Sequence, residues 1–262
     1  MNPFVVLMKK EMLQFVRELK VFWLPLVFIF LGIMQPVLSY YLPSILKAFG
    51  GEQGIIIDPS MTPQEGGQIL ASTLGSQFDQ LGVIILVVSM MGGVQSDKAN
   101  GMLAFILTRP VTVASYIWSK IISNYLFVAS SVTLGYSFSY LYTSFLFTGI
   151  HFTDLIVALL FYLLWVLFIV SFTTMISTIF NSQATVALLS IVFLMGIRMI
   201  TGLTPILNHL NPASMSEYAM EILISGTFNS NVLWSILATM LLSALAIHFS
   251  KIWISTKKFN TD

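Results

Sequence analysis

The chain has 262 residues, 56% of them hydrophobic and only 9% charged, far from the roughly 25% charged residues of a soluble domain. Together with a mean hydropathy of +0.88, this predicts an all-α membrane protein, and it leaves no material for a soluble ATPase domain. A net charge of +1 argues against nucleic acid as a partner, zero cysteines exclude thiol chemistry, and three scattered histidines, His151, His209 and His248, do not compose a metal site.

Residues 1–20 are not a signal peptide, because charges recur from Lys9 to Lys20 where an apolar core would be needed. Phe4, Met8, Met12, Phe15 and Leu19 repeat at helical spacing, with Lys10, Gln14 and Arg17 on the other side. This pattern predicts an amphipathic helix in the headgroup plane, although a plain positive anchor for the first span would look similar. Residues 21–262 are then read as a six-span transmembrane domain, each span needing roughly 20 apolar residues.

The first span covers residues 21–42, with a kink expected at Gln35-Pro36. Residues 43–79 read as an outer polar loop with turn signals at Gly50-Gly51, Asp58-Pro59 and Gly66-Gly67. The second span, residues 81–95, is short and bounded by Asp79 and Asp97. The loop 96–119 has a turn at Asn100-Gly101 and then an apolar run, Leu103, Phe105, Ile106 and Leu107, before Arg109-Pro110 stops it. Exposed apolar residues there require a partner or the membrane surface to cover them.

The third span, residues 121–147, places Ser123, Ser130, Thr133, Ser137, Tyr140 and Ser144 on one face. Small polar residues of this kind serve helix packing or line a pathway. Ser130, Thr133, Ser137, Tyr140 and, from the fifth span, Arg198 are the candidates for a translocation-facing surface. Between Asp154 and Arg198 lie forty-three uncharged residues, divided into a fourth and a fifth span by the polar hairpin Asn181-Ser182-Gln183. Arg198 at membrane depth is expected to pair with Glu217 or Glu221, or else to snorkel to the headgroups. In the segment 207–231, Asn211-Pro212 breaks the chain and Ser214 and Glu217 have capping-box spacing. A short helix over 215–224 follows, expected to be re-entrant or interfacial. The sixth span covers residues 232–252.

Lysine and arginine distribution predicts the orientation. Lys9, Lys10, Arg17, Lys20, Lys98, Arg109, Lys120, Lys251, Lys257 and Lys258 fall on one side and only Lys47 opposite, so both termini are expected in the cytoplasm. Enzyme motifs fail. There is no phosphate loop and no His-Glu-x-x-His, and the pair Ser137 and His248 lies at opposite depths, whereas a nucleophile and its base must approach to ~3 Å.

An acidic residue, a glycine, a Leu-rich helix, then Arg-Pro-Val and a lysine, here Asp97, Gly101, Leu103, Arg109-Pro110-Val111 and Lys120, resembles the cytoplasmic signature of ABC-2 type permeases. The opening Met1-Asn2-Pro3-Phe4 with Lys10-Glu11 and the short helices before the last span look like that family too. The resemblance implies a membrane subunit of an ATP-binding-cassette exporter in a bacterial cytoplasmic membrane. It would have no cofactor of its own, ATP and magnesium being held by a separate nucleotide-binding subunit. A second permease chain, identical or not, and membrane lipids would be the other partners. The resemblance implies coupling to the ATPase subunit for Asp97, Lys98, Gly101, Leu103, Ile106, Arg109 and Pro110. Surfaces rich in aromatic, methionine and hydroxyl groups suit an amphipathic or hydrophobic cargo such as a peptide, an antimicrobial or a lipid. The rival readings are an ion-coupled carrier or channel, disfavoured by the expected lack of acidic residues inside the spans, and a membrane scaffold that transports nothing.

Overall fold

The computed structural model describes residues 3–49, 65–108, 111–147, 149–227 and 232–256. These form ten helices: α1 (Pro3–Arg17), α2 (Lys20–Phe49), α3 (Gly66–Ala99), α4 (Met102–Leu107), α5 (Val113–Leu146), α6 (Phe152–Ile179), α7 (Gln183–Ile200), α8 (Pro205–Leu210), α9 (Ser214–Ser225) and α10 (Val232–Thr256). Among the described residues, six of them, α2, α3, α5, α6, α7 and α10, are long and apolar enough to cross a membrane. The expectation of an all-α, six-span protein is met, including the division of α6 from α7 at Asn181-Ser182.

α6 is the central pillar. Of its apolar window 61% is buried within the chain, against 22% for α7, whose Leu188, Val192 and Phe193 stay exposed. Trp165 and Tyr162 of α6 are fully buried, and the ring of Tyr162 meets Phe78, which meets Phe28 edge-on at 5.3 Å between centroids. α2 crosses α5 at Gly32 and Gly135, where a Cβ on either residue would collide with facing backbone, that of Gly135 or of Phe28. Small residues at such crossings let two apolar helices approach closely where burial of hydrocarbon offers no driving force. Gly135 is therefore a packing residue.

Two boundaries differ most from the sequence expectation. α2 continues to Phe49 through Pro25, Pro36 and Pro43, and α3 begins at Gly66, so the connection 43–79 is helical at both ends. The second span is consequently 34 residues long, and Asp79 lies inside it. Charge had been used to delimit that span, and a buried, paired carboxylate defeats the rule. Residues Thr73–Gly82 of α3 are wound as a π-helix, the rare form that inserts an extra residue and often marks a functional position. A turn at Met91-Gly92 interrupts the helix further on.

α1 is present but rotated from the expected face. Leu7, Glu11 and Phe15 point into the bundle, Phe4, Met8 and Met12 flank them, and Val5, Val6, Leu13 and Val16 are exposed. Phe15 stacks on Phe127 of α5 at 4.9 Å. No glycine or proline separates α1 from α2. The break is made by Leu19 in a left-handed conformation (φ 56°), a strained position for a branched side chain.

The capping box at Ser214 does not form. Glu217 is drawn away by Arg198, and the turn is made instead by Asn211, whose Oδ1 accepts from the Ala213 amide at 2.9 Å while its Nδ2 donates to the Ile197 carbonyl at 2.7 Å. The helix itself is as expected and ends at Gly226 (φ 67°). It burrows between α3 and α6, with Met215 and Ala219 fully buried and Gly67 of α3 against the Leu223 carbonyl.

Candidate functional site at the lysine-rich end of the bundle

The third helical repeat of α1 carries a carboxylate on its buried face: Glu11 sits one turn from both Leu7 and Phe15 and is 3% exposed. α5 brings Lys120, 1% exposed, to meet it at 2.8 Å. The same ammonium lies 2.9 Å from Asp97 near the end of α3. Lys10 closes the ring at 3.2 Å from both Glu11 and Asp97, and the Tyr116 hydroxyl, one turn before Lys120, donates to Asp97 at 2.7 Å. Two carboxylates, two ammonium groups and a phenol from three helices thus neutralise one another out of water. Burial alone would lower the Lys10 pKa, but the facing Glu11 and Asp97 carboxylates outweigh it and hold the ammonium above its ordinary range.

The neighbouring residues tie the same end of α3 to α6. The Lys98 ammonium donates to the Thr178 carbonyl at 3.0 Å and to the Phe180 carbonyl, where the α6 dipole places partial negative charge. Gln95 Nε2 donates to the Asn181 carbonyl at 2.6 Å. Ser177 Oγ accepts from the Val94 and Gln95 amides, at 3.1 and 2.9 Å, which the turn at Met91-Gly92 leaves without a helical carbonyl. α1, α3, α5 and α6 are therefore joined at one end by polar contacts that are mostly buried.

On this platform stands α4. Gly101 (φ 66°) makes the left-handed turn that only glycine adopts without cost, so the chain reverses between Ala99 and Met102. Leu103 faces inward and is fully buried, and Ile106 packs partly against the core, while Met102 and Phe105 are 42% and 59% exposed. Of the seven residues expected to face a partner, Asp97 and Leu103 instead serve contacts within the chain, and Lys98 caps α6. Asp97 and Leu103 are buried, and Lys98 is half-buried. Gly101 and Ile106 sit at the turn and on the flank, and Arg109 and Pro110 lie outside the described residues.

A sequence model described as "ABC-2 family transporter protein" matches residues 5–259. The chain belongs to this family. An uncharacterized transmembrane protein of Bacillus subtilis, YxlG, is 34% identical over 251 residues, covering 94% of this chain and 96% of the relative. The chain is thus a membrane component of the ABC-2 transporter family, whose permeases generally work with ABC ATPase subunits and are not ATPases themselves.

A second ionic cluster occupies the opposite end of this ABC-2 chain. Arg198, in the last turn of α7, places Nε 2.7 Å from Asp79 in the π-helical turn and Nη1 3.3 Å from Glu217 of α9. Ser216 Oγ also donates to Asp79, which is 1% exposed. The expected pairing with Glu217 is present, Glu221 is not part of it, and Asp79 is the closer partner. Arg198 is thus held in an ion cluster and does not add a charge to an open hydroxyl surface. On α5, Ser130 and Ser137 are exposed but return their hydroxyls to the Phe127 and Thr133 carbonyls of their own helix, and Thr133 and Tyr140 are half-buried. The hydroxyls used in packing are others, with Ser139 donating to Thr73 across α5 and α3 at 3.2 Å.

Of these cluster residues, the sequence marks Lys10, Glu11 and Lys120 only as carriers of the family resemblance and Asp79 only as a span boundary, none of them with a site role, and Tyr116 not at all. For Glu11 a signal existed, an acid seven residues after Phe4 and four before Phe15 on an otherwise apolar stripe. For Lys120 it was a lone cation flanked at helical spacing by Ile117 and Asn124. For Asp79 the only hint was its distance from any basic neighbour in sequence.

Proposed function

We propose that this chain is the permease subunit of an ABC exporter, and that α4 with its flanking turns is the element on which a separate nucleotide-binding subunit acts. The observation that carries this is the mounting of α4: an outward Met102 and Phe105 face on a short helix whose base is fixed by the Glu11, Lys120 and Asp97 cluster. A push on such an element reaches α1, α3, α5 and α6 together, because each is bonded to the next by buried polar contacts, and it requires no motion within α4. Asp97, Lys98 and Leu103 then act as positioning residues, while Met102, Phe105 and Ile106 supply contact, with Gly101 permitting the turn. Arg109 and Pro110 complete the element by the family resemblance.

In this reading the lysine-rich end is cytoplasmic, as the distribution of lysine and arginine requires, and ATP and magnesium are bound by the partner. The open, apolar face of α7 suits a second permease chain, and the hydroxyl face of α5, Ser130, Thr133, Ser137 and Tyr140, suits an amphipathic or hydrophobic cargo in a bacterial cytoplasmic membrane. The ion-coupled carrier gains a candidate in Asp79, a carboxylate inside a span. Arg198 and Ser216 already occupy that carboxylate, however, which is the reverse of an acid kept available for protons or cations.

Phe105→Asp tests the assignment. It is expected to lower recovery of the ATPase subunit with the tagged permease at least tenfold and to abolish substrate-stimulated ATP hydrolysis, while insertion and thermal unfolding of the permease stay as in the parent. Undiminished capture and stimulation would refute it. Orientation is checked with single cysteines: Asn100→Cys should resist impermeant maleimide in intact cells and Thr227→Cys should react, and the opposite pattern would invert the scheme.

A further inference from the structure

Between α1 and the last third of α3 the chain leaves a cleft of about 940 Å³, within the size range of sites that hold small amphiphiles. Its floor is the ion cluster itself. One wall is apolar, from Val88 and Met91 of α3 together with Val6 and Leu13 of α1, and Trp23 stands at its edge, half-exposed. The rim is cationic: Lys9, Arg17 and Lys20 join Lys10 and Lys120, against the carboxylates of Glu11, Glu18 and Asp97, leaving an excess of two positive charges. Lys20 is held by Glu18 at 2.5 Å, whereas among the described residues Lys9 and Arg17 form no ion pair. Gly93 opens the wall further, since a Cβ added there would meet nothing within 4 Å.

We infer that this cleft binds a resident anionic phospholipid, its phosphate held by Lys9 and Arg17 and one acyl chain laid along the Val88 and Met91 wall. Three features converge on that ligand. The positive excess sits on an interfacial helix, at the level where anionic headgroups of the leaflet lie, and charge there attracts phosphate. A water-soluble anion would have no use for the apolar wall, and a neutral lipid would have none for the rim. Tryptophan at the boundary is the residue that settles at headgroup depth. The lipid would also wedge α1 against α3 directly over Lys10 and Asp97, so occupancy would stiffen the junction described above. The inference rests on the chain lying in a membrane and not on the coupling assignment, so it can be tested on the permease alone.

The experiment is thermal unfolding of the delipidated full-length chain in neutral detergent, titrated with phosphatidylglycerol, phosphatidylcholine or inorganic phosphate. Phosphatidylglycerol is expected to raise the midpoint saturably and the other two to leave it unchanged. The double variant Lys9→Gln, Arg17→Gln should weaken the phosphatidylglycerol response about tenfold or more. Gly93→Leu, which fills the cleft without touching a charge, should abolish the response while retaining the unliganded midpoint. Equal stabilisation by phosphatidylcholine would show a lipid groove without headgroup recognition, and equal stabilisation by phosphate alone would show a free-anion site. Either result overturns the proposal. If the double variant fails to fold, Gly93→Leu decides, and a full phosphatidylglycerol response in it overturns the proposal as well.

Discussion

The two ends of the bundle each bury charge, but in different ways. At the lysine-rich end Lys120 lies within 2.9 Å of both carboxylates, Lys10 supplies the second positive charge, and Tyr116 fills a remaining acceptor, so the cluster is balanced. At the other end one guanidinium serves two acids, Asp79 and Glu217, and the second Asp79 oxygen has no hydrogen-bond partner among the described residues. Buried ion pairs add little net stability over apolar packing, yet removing one partner is costly because the other is left without water. A saturated cluster therefore behaves as a rigid joint, and an undersupplied one, set in a π-helical turn, as a contact that can be exchanged. The first ties α1, α3 and α5 together beside α4; the second links α3, α7 and α9.

This contrast predicts unequal costs of mutation. Lys120→Met removes the cation shared by Glu11 and Asp97 and should destabilise the chain by about 3–5 kcal/mol, read as the shift in thermal or denaturant unfolding in detergent. The double variant Lys120→Met, Glu11→Gln should cost less than the sum of the single changes, since one stranded carboxylate is removed. Arg198→Gln should cost less, about 2 kcal/mol, because the side chain is 20% exposed and water can reach one of its partners, Glu217, although Asp79 stays buried. Its combination with Asp79→Asn should be strongly non-additive, whereas with Glu221→Gln it should be additive. If Arg198→Gln proved as damaging as Lys120→Met, the Arg198 cluster would be a joint as rigid as the Lys120 cluster, and the distinction would fail.

The same contrast shows which features a sequence exposes. Hydropathy located α5, α6, α7 and α10 well because length and composition alone set a span. It truncates α3 because a charge marks a boundary by pattern alone, and Asp79 carries a charge that the fold pairs with a residue 119 positions away. The loop before α5 was recognisable from Gly101 and Arg109-Pro110, but which of its residues face outward depends on long-range partners. Asp97 looked like a docking residue until Lys120 and Glu11 surrounded it, and Leu103 looked exposed until the floor of the bundle covered it. Local pattern thus gave the element, and distant pairing decided the direction of its side chains.

The smallest expected effect concerns the margin of the Lys120 cluster. Lys10 is the partly exposed member, with 30% of its side chain accessible, and its carboxylate neighbours raise its pKa over the unfolded value of 10.5. For a group raised on folding, the stabilisation is complete below the unfolded pKa and is lost as pH climbs through the folded one. The contribution should therefore be intact at neutral pH and disappear only in the strongly alkaline range, where Lys10 loses its proton. Solvent screening limits it to about 0.5 kcal/mol. Lys10→Met should flatten the alkaline limb of the stability profile between about pH 9 and 12, while the share of the acid limb set by Glu18, whose pKa Lys20 and Gln14 pull down against the opposing effect of burial, is retained. A Lys10→Met profile that parallels the parent throughout the alkaline range would place Lys10 outside the joint and leave Lys120 as the cation that matters there.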